Sequence, residues 1–117
     1  MTDERLLVRE AVRLIEDRKG EDIAVIDLSD VSIPTSFFVV AGGDNPAHVK
    51  ALINALRTGL PSKPQRSEGV SERKWVVLDY GDIVVHIFEK DAREFYDIES
   101  LWADHLVDVD AIISEAQ

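Results

Sequence analysis

The stretch from residue 74 to residue 88 constrains the fold more than any other part of the chain. Two runs of β-branched and aromatic residues flank a short polar turn that contains Gly81. This pattern is typical of a β-hairpin, in which two antiparallel strands pair directly. Any fold for this chain must therefore provide a sheet that includes an antiparallel pair in the second half of the sequence.

The turn position determines which side chains are expected to face each other across the hairpin. With a two-residue turn at 80–81, Asp79 is predicted to lie opposite Asp82, and Trp75 opposite His86. Facing carboxylates repel each other unless a cation lies between them. The two aspartates therefore indicate a site for a partner's Lys or Arg, a site for a divalent metal, or an acid–base pair. Turn chemistry alone is the remaining interpretation.

Side chains alternate along each strand, so the hairpin has two predicted faces of different chemistry. The first face is uniformly apolar and is expected to lie in the core; it consists of Val76, Leu78, Ile83, Val85 and Ile87. The second mixes aromatic, aliphatic and charged groups; it consists of Trp75, Val77, Asp79, Asp82, Val84, His86 and Phe88. Exposed tryptophan often dominates interface energetics, so this mixed face is a candidate docking surface. The alternative is that a helix of the same domain covers it, with Trp75 in the core.

Apolar periodicity predicts the remaining elements of an α/β domain. Residues 3–19 have helical spacing, and short apolar runs at 23–26 and 37–41 are typical of buried strands. Asn45 is expected to cap a second helix, with Pro46 in the first helical position. The hairpin requires antiparallel pairing, whereas a strand followed by a helix favours a crossover connection. We therefore predict a single α/β domain with a mixed β-sheet flanked by helices.

The segments on either side of the hairpin are less regular. Residues 61–73 are polar and are predicted to form a loop with one short edge strand at 64–68. Residues 91–94 have the form of a capping box. The apolar side chains that follow at helical spacing are expected to pack on the core; they are Phe95, Ile98, Leu101 and Trp102. We predict a domain over 1–104 and a loosely held acidic tail over 105–117, with a short helix around Val109, Ile112 and Ile113.

Charge narrows the class of partner. The formal net charge is −10, and residues 79–117 contain only Lys90 and Arg93 against 11 acidic residues. Because nucleic-acid binding depends on neutralising phosphates with basic side chains, we expect no direct contact with DNA, and an anionic membrane surface is similarly disfavoured. A basic protein would be attracted; acids that only maintain solubility are the alternative. Basic residues in and beside the loop are offset by Glu68 and Glu72 and are typical of a solvated surface; they are Lys63, Arg66, Arg73 and Lys74.

No other motif indicates catalysis, metal binding or a cofactor. Cysteine is absent, which excludes a disulfide framework and thiolate metal sites. The three histidines share no metal-ligand spacing, and the glycine pair at 42–43 lacks the Lys-Ser/Thr of a phosphate-binding loop. The most apolar runs are far shorter than the ~20 residues of a membrane helix, and the N-terminus lacks a secretory layout. We therefore expect a cytoplasmic protein.

Several of these residues form a pattern that is specific to one family. The core of the pattern is W-V-V-L-D-Y-G-D-I-V-V-H-I-F at 75–88, continued by R-E-F-Y at 93–96 and L-W at 101–102. The Glu-Gly pair at 68–69, ahead of the tryptophan, fits as well. Over residues 4–104 the chain closely resembles the ribosome silencing factor family, also called the iojap-like family.

The resemblance implies a small α/β fold of nucleotidyltransferase-like topology. It also implies a translational repressor that acts in starvation: members bind the large ribosomal subunit through ribosomal protein fourteen and sterically block joining of the small subunit. The resemblance assigns that contact to Trp75, Leu78, Asp79 and Tyr80, and the mixed face adds Val77, Asp82 and His86. Because Leu78 falls on the core face, we expect it to support the contact rather than make it.

Two further hypotheses stay open from the sequence. A nucleotidyltransferase-like, metal-dependent enzyme or nucleotide-binding protein would use Asp79 and Asp82. The chain, however, lacks the Gly-Ser turn with spaced carboxylates that holds metal in those enzymes, and a shared fold does not carry activity. A homodimer through the hairpin face or an edge strand is the other hypothesis. The docking hypothesis requires no catalytic residue, metal ion or cofactor.

Overall fold

Helices and strands follow one another in the predicted order, except that a short sixth strand, which the sequence did not predict, lies near the C-terminus. The structure, a computed structural model, describes residues 4–114. The elements are α1 (Glu4–Asp17), β1 (Glu21–Asp27), β2 (Phe37–Gly43), α2 (Pro46–Gly59), β3 (Arg66–Glu68), β4 (Trp75–Asp79), β5 (Ile83–Glu89), α3 (Lys90–Tyr96), α4 (Ile98–Leu101), a 3-10 turn (Ala103–His105), β6 (Leu106–Val107) and α5 (Val109–Ser114). No helix between residues 4 and 114 has the length and apolar character needed to cross a membrane.

The sheet is mixed, as predicted. Its strand order is β3-β4-β5-β2-β1-β6. Strands β2 and β5 pair in parallel, whereas the other neighbouring pairs are antiparallel. The connection between the parallel strands includes α2, which begins at Pro46 and is capped by Asn45, whose side chain accepts a hydrogen bond from the His48 N–H at 2.9 Å. The predicted start of this helix is therefore confirmed.

The main core lies between the sheet and the helices α1 and α2. On the helix side, α1 contributes Val8, Val12 and Ile15, none of which is exposed. On the sheet side, the predicted apolar face of the hairpin is confirmed, since all five of its side chains are fully buried. Complete burial of one such side chain stabilises a fold by roughly 1.5–3 kcal/mol, so this face holds the hairpin firmly against the helices.

Helices α3 and α4 cover part of the opposite face of the sheet. A smaller cluster forms there around the buried side chains of Ile26, Leu28, Val40 and Phe88, and Ile98 and Trp102 pack against it as predicted. The prediction that Phe95 and Leu101 also pack on the core is wrong, because they are 82% and 75% exposed. The reason is the length of these helices. Asp97, in the left-handed conformation with φ of 37°, separates two short helices that each turn only one side toward the sheet.

The C-terminal segment is more closely integrated than the sequence suggested. Strand β6 pairs with β1, with Val107 beside Val25, and Ile112 of α5 is 2% exposed in the main core. The short helix predicted here is present. The structure differs from the predicted loose tail because a few apolar residues among the acids are enough to cover the edge of β1 and the side of α1.

The hairpin turn lies one residue later than predicted, at Gly81-Asp82. The N–H of Tyr80 donates to the carbonyl of Ile83 at 2.9 Å. Trp75 therefore pairs with Phe88, Val77 with His86, and Asp79 with Val84, so the predicted pairs Asp79–Asp82 and Trp75–His86 are wrong. Gly81 has φ of +89°, which favours this turn position. The change moves each partner by two residues, so the predicted faces are unchanged.

Candidate functional site

Strands β2, β4 and β5, together with α3, build a surface on the sheet side opposite α1 and α2. We call it the aromatic face; its members are Phe38, Trp75, Val77, Val84, His86, Phe88 and Tyr96. His86 and Phe88 are buried, and the others are half-buried or exposed. Helix α3 covers one part of this face and leaves another part open. The two interpretations of the sequence, a docking surface and a face covered by the domain's own helix, therefore each describe part of it.

Trp75 is oriented by its own domain. Its ring stacks on Phe88 with 5.1 Å between centroids and lies 4.6 Å from the ring of Tyr96. Its Nε1–H donates a hydrogen bond to Nδ1 of His86 at 3.1 Å. The indole is nevertheless only half-buried. A partner would therefore meet a side chain whose orientation is already fixed, which lowers the entropy cost of binding.

His86 is a buried imidazole whose surroundings favour the neutral form. It is 6% exposed, and its cross-strand neighbours Val40 and Val77 are apolar. Burial lowers the pKa of His86 from 6.5 to about 4. Because Nδ1 accepts the Trp75 N–H, the proton of the neutral ring lies on Nε2, which has no hydrogen-bond partner within residues 4–114. The side chain thus positions Trp75 and offers almost no surface of its own to a partner.

The domain is expected to lose stability as the pH falls from 6.5 toward 4. In this window the unfolded chain binds a proton at His86 and the native state does not, so acid favours unfolding. Above pH 6.5 the imidazole is neutral in both states and its contribution is constant. The loss attributable to His86 is about 3 kcal/mol at most.

Urea denaturation at a series of pH values measures this effect. His86→Gln is the matched variant, because glutamine has no charge to gain yet can accept the Trp75 hydrogen bond. Its unfolding free energy should vary less between pH 6.5 and 4 than that of the natural chain. Identical pH profiles for the two proteins would contradict a buried, neutral imidazole at this position.

Two aromatic residues of α3 extend the face, and sequence reasoning missed their arrangement. Tyr96 is 48% exposed and packs on Trp75. Phe95 forms an edge contact with Tyr96 at 5.1 Å and is the more exposed of the two. The signal that could have found them is the length of the helix, because a seven-residue helix cannot bury apolar side chains on all sides. Phe38 was missed because its contact with His86 joins two strands, β2 and β5, that are neighbours in the sheet but far apart in the sequence.

Asp79 and Asp82 have different environments. Asp79 Oδ1 accepts a hydrogen bond from the N–H of Gly81 at 2.8 Å, so this carboxylate stabilises the turn. Its cross-strand partner on β3 is Arg66, which places a cation on the same side of the sheet. Asp82 is exposed, and its backbone carbonyl accepts a hydrogen bond from the Thr35 hydroxyl at 3.0 Å. Within residues 4–114, no three His, Asp or Glu side chains are grouped so that they could hold a metal ion.

The remaining sequence-predicted residues divide between the two sides of the hairpin. Val77 is half-buried on the aromatic face. Leu78 and Tyr80 point the other way and are 0% and 7% exposed. Burial raises the pKa of the Tyr80 hydroxyl, whose oxygen has no hydrogen-bond partner in the described part of the chain. In the free domain Tyr80 therefore lies on the core side of the hairpin, like Leu78, and its contact with a partner stays a prediction.

Three comparisons with known proteins agree. The model of the family described as "Ribosomal silencing factor during starvation" matches residues 2–117. The ribosomal silencing factor RsfS of Halalkalibacterium halodurans is 33% identical over 114 residues, which are 92% of this chain and 96% of that protein. A crystal structure of a protein from Chromobacterium violaceum has a TM-score of 0.83 at 35% identity and covers 87% of this chain and 88% of that one.

Two details of the matches extend the sequence interpretation. The family model covers the C-terminal segment, which the sequence-based resemblance left out. A mouse protein named for mitochondrial assembly of the ribosomal large subunit is 29% identical over 97 residues, which are 78% of this chain and 42% of that protein. The match to the family model spans the sheet, both helical layers and the whole aromatic face. The chain therefore belongs to the ribosomal silencing factor family.

Proposed function

We propose that this protein represses translation by binding the large ribosomal subunit through ribosomal protein fourteen and sterically blocking the small subunit. Its family is one of ribosome-associated regulators of translation. The name of the mouse relative connects that protein with the large subunit. The observation that carries the proposal is the open part of the aromatic face, where Trp75 is oriented for contact, together with the neighbouring ring of Phe95, which touches Tyr96 and is 82% exposed.

Charge around the aromatic face suits a basic protein partner. Two acidic residues lie at the turn end of the hairpin and two on α3, the helix that partly covers the face; we call these four the acidic rim: Asp79, Asp82, Asp91 and Glu94. Three of them are exposed, Asp79 being half-buried. An acidic rim around an apolar centre attracts Lys and Arg side chains and directs their approach, while the aromatic contacts supply most of the binding energy. Ribosomal proteins are generally basic because they neutralise RNA, so their surface chemistry complements this one.

Steric blocking requires only that the bound protein occupy space between the two ribosomal subunits. The domain measures 32 × 29 × 25 Å, which is large enough to separate two surfaces that must otherwise touch. We therefore propose that the protein performs no bond chemistry. The enzyme hypothesis depended on Asp79 and Asp82 as a facing pair, and the register of the hairpin does not bring them opposite each other. A protein with this role acts in the cytoplasm, where ribosomal subunits join.

A second copy of the chain is the competing occupant of the aromatic face. A two-fold dimer through this face would bring the acidic rim of one copy against that of the other. Like charges at a rim oppose association, so we favour the basic ribosomal protein. Light scattering over a dilution series tests the dimer directly. A stable dimer whose dissociation exposes Trp75 to a quencher would favour the second copy.

Phe95→Ala is expected to weaken binding to isolated large subunits by about tenfold. The phenyl ring is 82% exposed in the free protein, so its removal should change the unfolding free energy by less than about 0.5 kcal/mol. In the complex the ring would be buried against the partner, so its removal should lower the affinity for large subunits. Co-sedimentation at several protein concentrations measures the change in affinity.

Leu6→Ala is the matched control for this variant. Leu6 is also an exposed apolar residue, 46% exposed, but it belongs to α1 on the other side of the sheet. It should bind like the natural chain. Equal affinities for the Phe95 and Leu6 variants would show that α3 takes no part in docking.

A further inference from the structure

A basic cleft lies at the edge of the sheet, outside the aromatic face. It has a volume of about 390 Å³ and is lined by Arg57, Thr58, Lys63, Pro64 and Ser67. The C-terminal part of α2, the loop after it and β3 each contribute side chains. The sequence grouped the bases of this loop with neighbouring acids as a solvated surface. The structure keeps only Lys63 of those bases in the cleft, adds Arg57 from α2, and directs Glu68 to the other side of the sheet.

The separation follows from the alternation of side chains along β3. Ser67 pairs with Leu78 and therefore points to the helix side of the sheet, toward Arg57. Glu68 pairs with Val77 and points to the opposite side. No acidic residue is among the described residues that line the cleft. Within residues 4–114, neither Arg57 nor Lys63 has a carboxylate within ion-pair distance.

The polar groups of the cleft are arranged to donate hydrogen bonds. Arg57 Nη2 donates to the Ser67 hydroxyl oxygen at 3.2 Å, which leaves the hydroxyl hydrogen of Ser67 available to an acceptor. Thr58 does not add a donor, since its hydroxyl bonds to the Asn54 carbonyl at 2.8 Å. The guanidinium, the Lys63 ammonium and the Ser67 hydroxyl thus present donors and two positive charges in one cleft. This combination fits the oxygens of a phosphate group.

We propose that this cleft binds a phosphate of the RNA backbone beside the docking surface on the large subunit. The inference rests on the proposed function. Strand β3 is the edge strand beside β4, which carries Trp75, and the cleft opens on the helix side of this edge. It therefore lies at the rim of a molecule docked through the aromatic face, where RNA that extends beside the docking surface passes it. The net charge of −10 opposes any extended contact with nucleic acid, and a local contact with one phosphate is what such a chain can sustain.

The first test uses the isolated protein. Amide chemical shifts are followed by NMR while inorganic phosphate, or a ten-nucleotide oligouridylate, is added at constant ionic strength. Both probes should shift the amides of the cleft, and Arg57→Ala/Lys63→Ala should abolish these shifts. The control Arg13→Ala/Lys50→Ala removes two exposed charges outside the cleft, on α1 and α2, and should respond like the natural chain.

The second test uses isolated large subunits. The Arg57→Ala/Lys63→Ala variant should bind about tenfold more weakly than the natural chain. The slope of its log affinity against log salt concentration should be smaller in magnitude by about one. The control pair should leave both quantities unchanged. All four bases are exposed, so neither double variant should impair folding.

The outcomes separate this inference from the proposed function. Shifts with phosphate but not with the oligonucleotide would overturn the assignment to RNA, and no shifts with either would overturn the cleft as an anion site. If the natural chain fails to bind large subunits, the proposed function fails, and the NMR arm still decides whether the cleft takes phosphate. If the natural chain and the Arg57/Lys63 variant bind large subunits equally, the inference about the cleft is overturned while the proposed function stands.

Discussion

Replacing Trp75 with alanine is expected to weaken binding to large subunits by about thirtyfold or more. A large, preoriented aromatic side chain in a partly desolvated surface is the kind of residue that carries most of the energy of an interface. The hydrogen bond to His86 and the ring contacts with Phe88 and Tyr96 hold the indole ready for a partner. Removal of the indole therefore removes contact area and also the contacts that order the neighbouring side chains.

The same substitution should also lower the free energy of unfolding by about 2 kcal/mol. From the sequence alone we would expect an unchanged fold, but the structure shows that the indole packs on its own domain. Far-UV circular dichroism should still report a folded protein. A control of comparable instability is Val12→Ala, which opens a cavity in the core under α1, far from the aromatic face.

Comparison of the two variants separates docking from stability. Val12→Ala should bind large subunits like the natural chain, because the domain remains folded and its aromatic face is intact. If Trp75→Ala also binds with unchanged affinity, Trp75 has no role in docking. If both variants lose affinity to the same degree, the loss reflects instability, and the aromatic face is not the contact surface.

Gly69→Ala should destabilise the domain by about 3 kcal/mol or more. Gly69 has φ of +76°, and a β-carbon there would lie 2.0 Å from the carbonyl oxygen of Trp75. Backbone atoms cannot move aside as a flexible side chain can. The start of β4, and with it the indole of Trp75, must shift to accommodate the methyl group, so binding to large subunits should weaken as well.

Gly81→Ala is the matched control for this prediction. Gly81 also has positive φ, +89°, but its added β-carbon would meet only the side chain of Gln65, at 2.9 Å. It should cost about 1 kcal/mol, the penalty for the backbone conformation alone. Urea denaturation with an unchanged m-value measures both losses. Equal losses for the two glycines would mean that the backbone of β4 tolerates the contact.

The sequence predicted the parts of this fold that depend on local periodicity. Alternation along the hairpin assigned Val76 to the core and Trp75 to the other face, and the helix cap at Asn45 follows from local chemistry. The hairpin register was missed because it depends on the backbone conformation at Gly81. A glycine at this position is compatible with more than one turn, and each turn gives a different register. The assignment of side chains to the two faces is nevertheless correct, because a shift of two residues in the cross-strand partner preserves the alternation.

The parts of the site that could not be predicted depend on contacts between distant segments. The cover that α3 provides over Trp75 requires knowing how a short helix packs on the sheet, and its Tyr96 contact joins residues far apart in the chain. The pairing of β6 with β1 involves only two residues, too few for a periodic signal among the acids. The approach of Arg57 to Ser67 depends likewise on the position of α2 over β3.

Ordered addition of subunits tests the proposed function most directly. The protein is incubated with isolated large subunits, small subunits are added, and the mixture is separated on a sucrose gradient. We predict that the protein sediments with the large subunit and that small subunits stay free, whereas the Trp75→Ala variant allows joined ribosomes to form. Joined ribosomes that still carry the natural protein would contradict steric blocking, and absence of the protein from the large-subunit fraction would contradict docking itself.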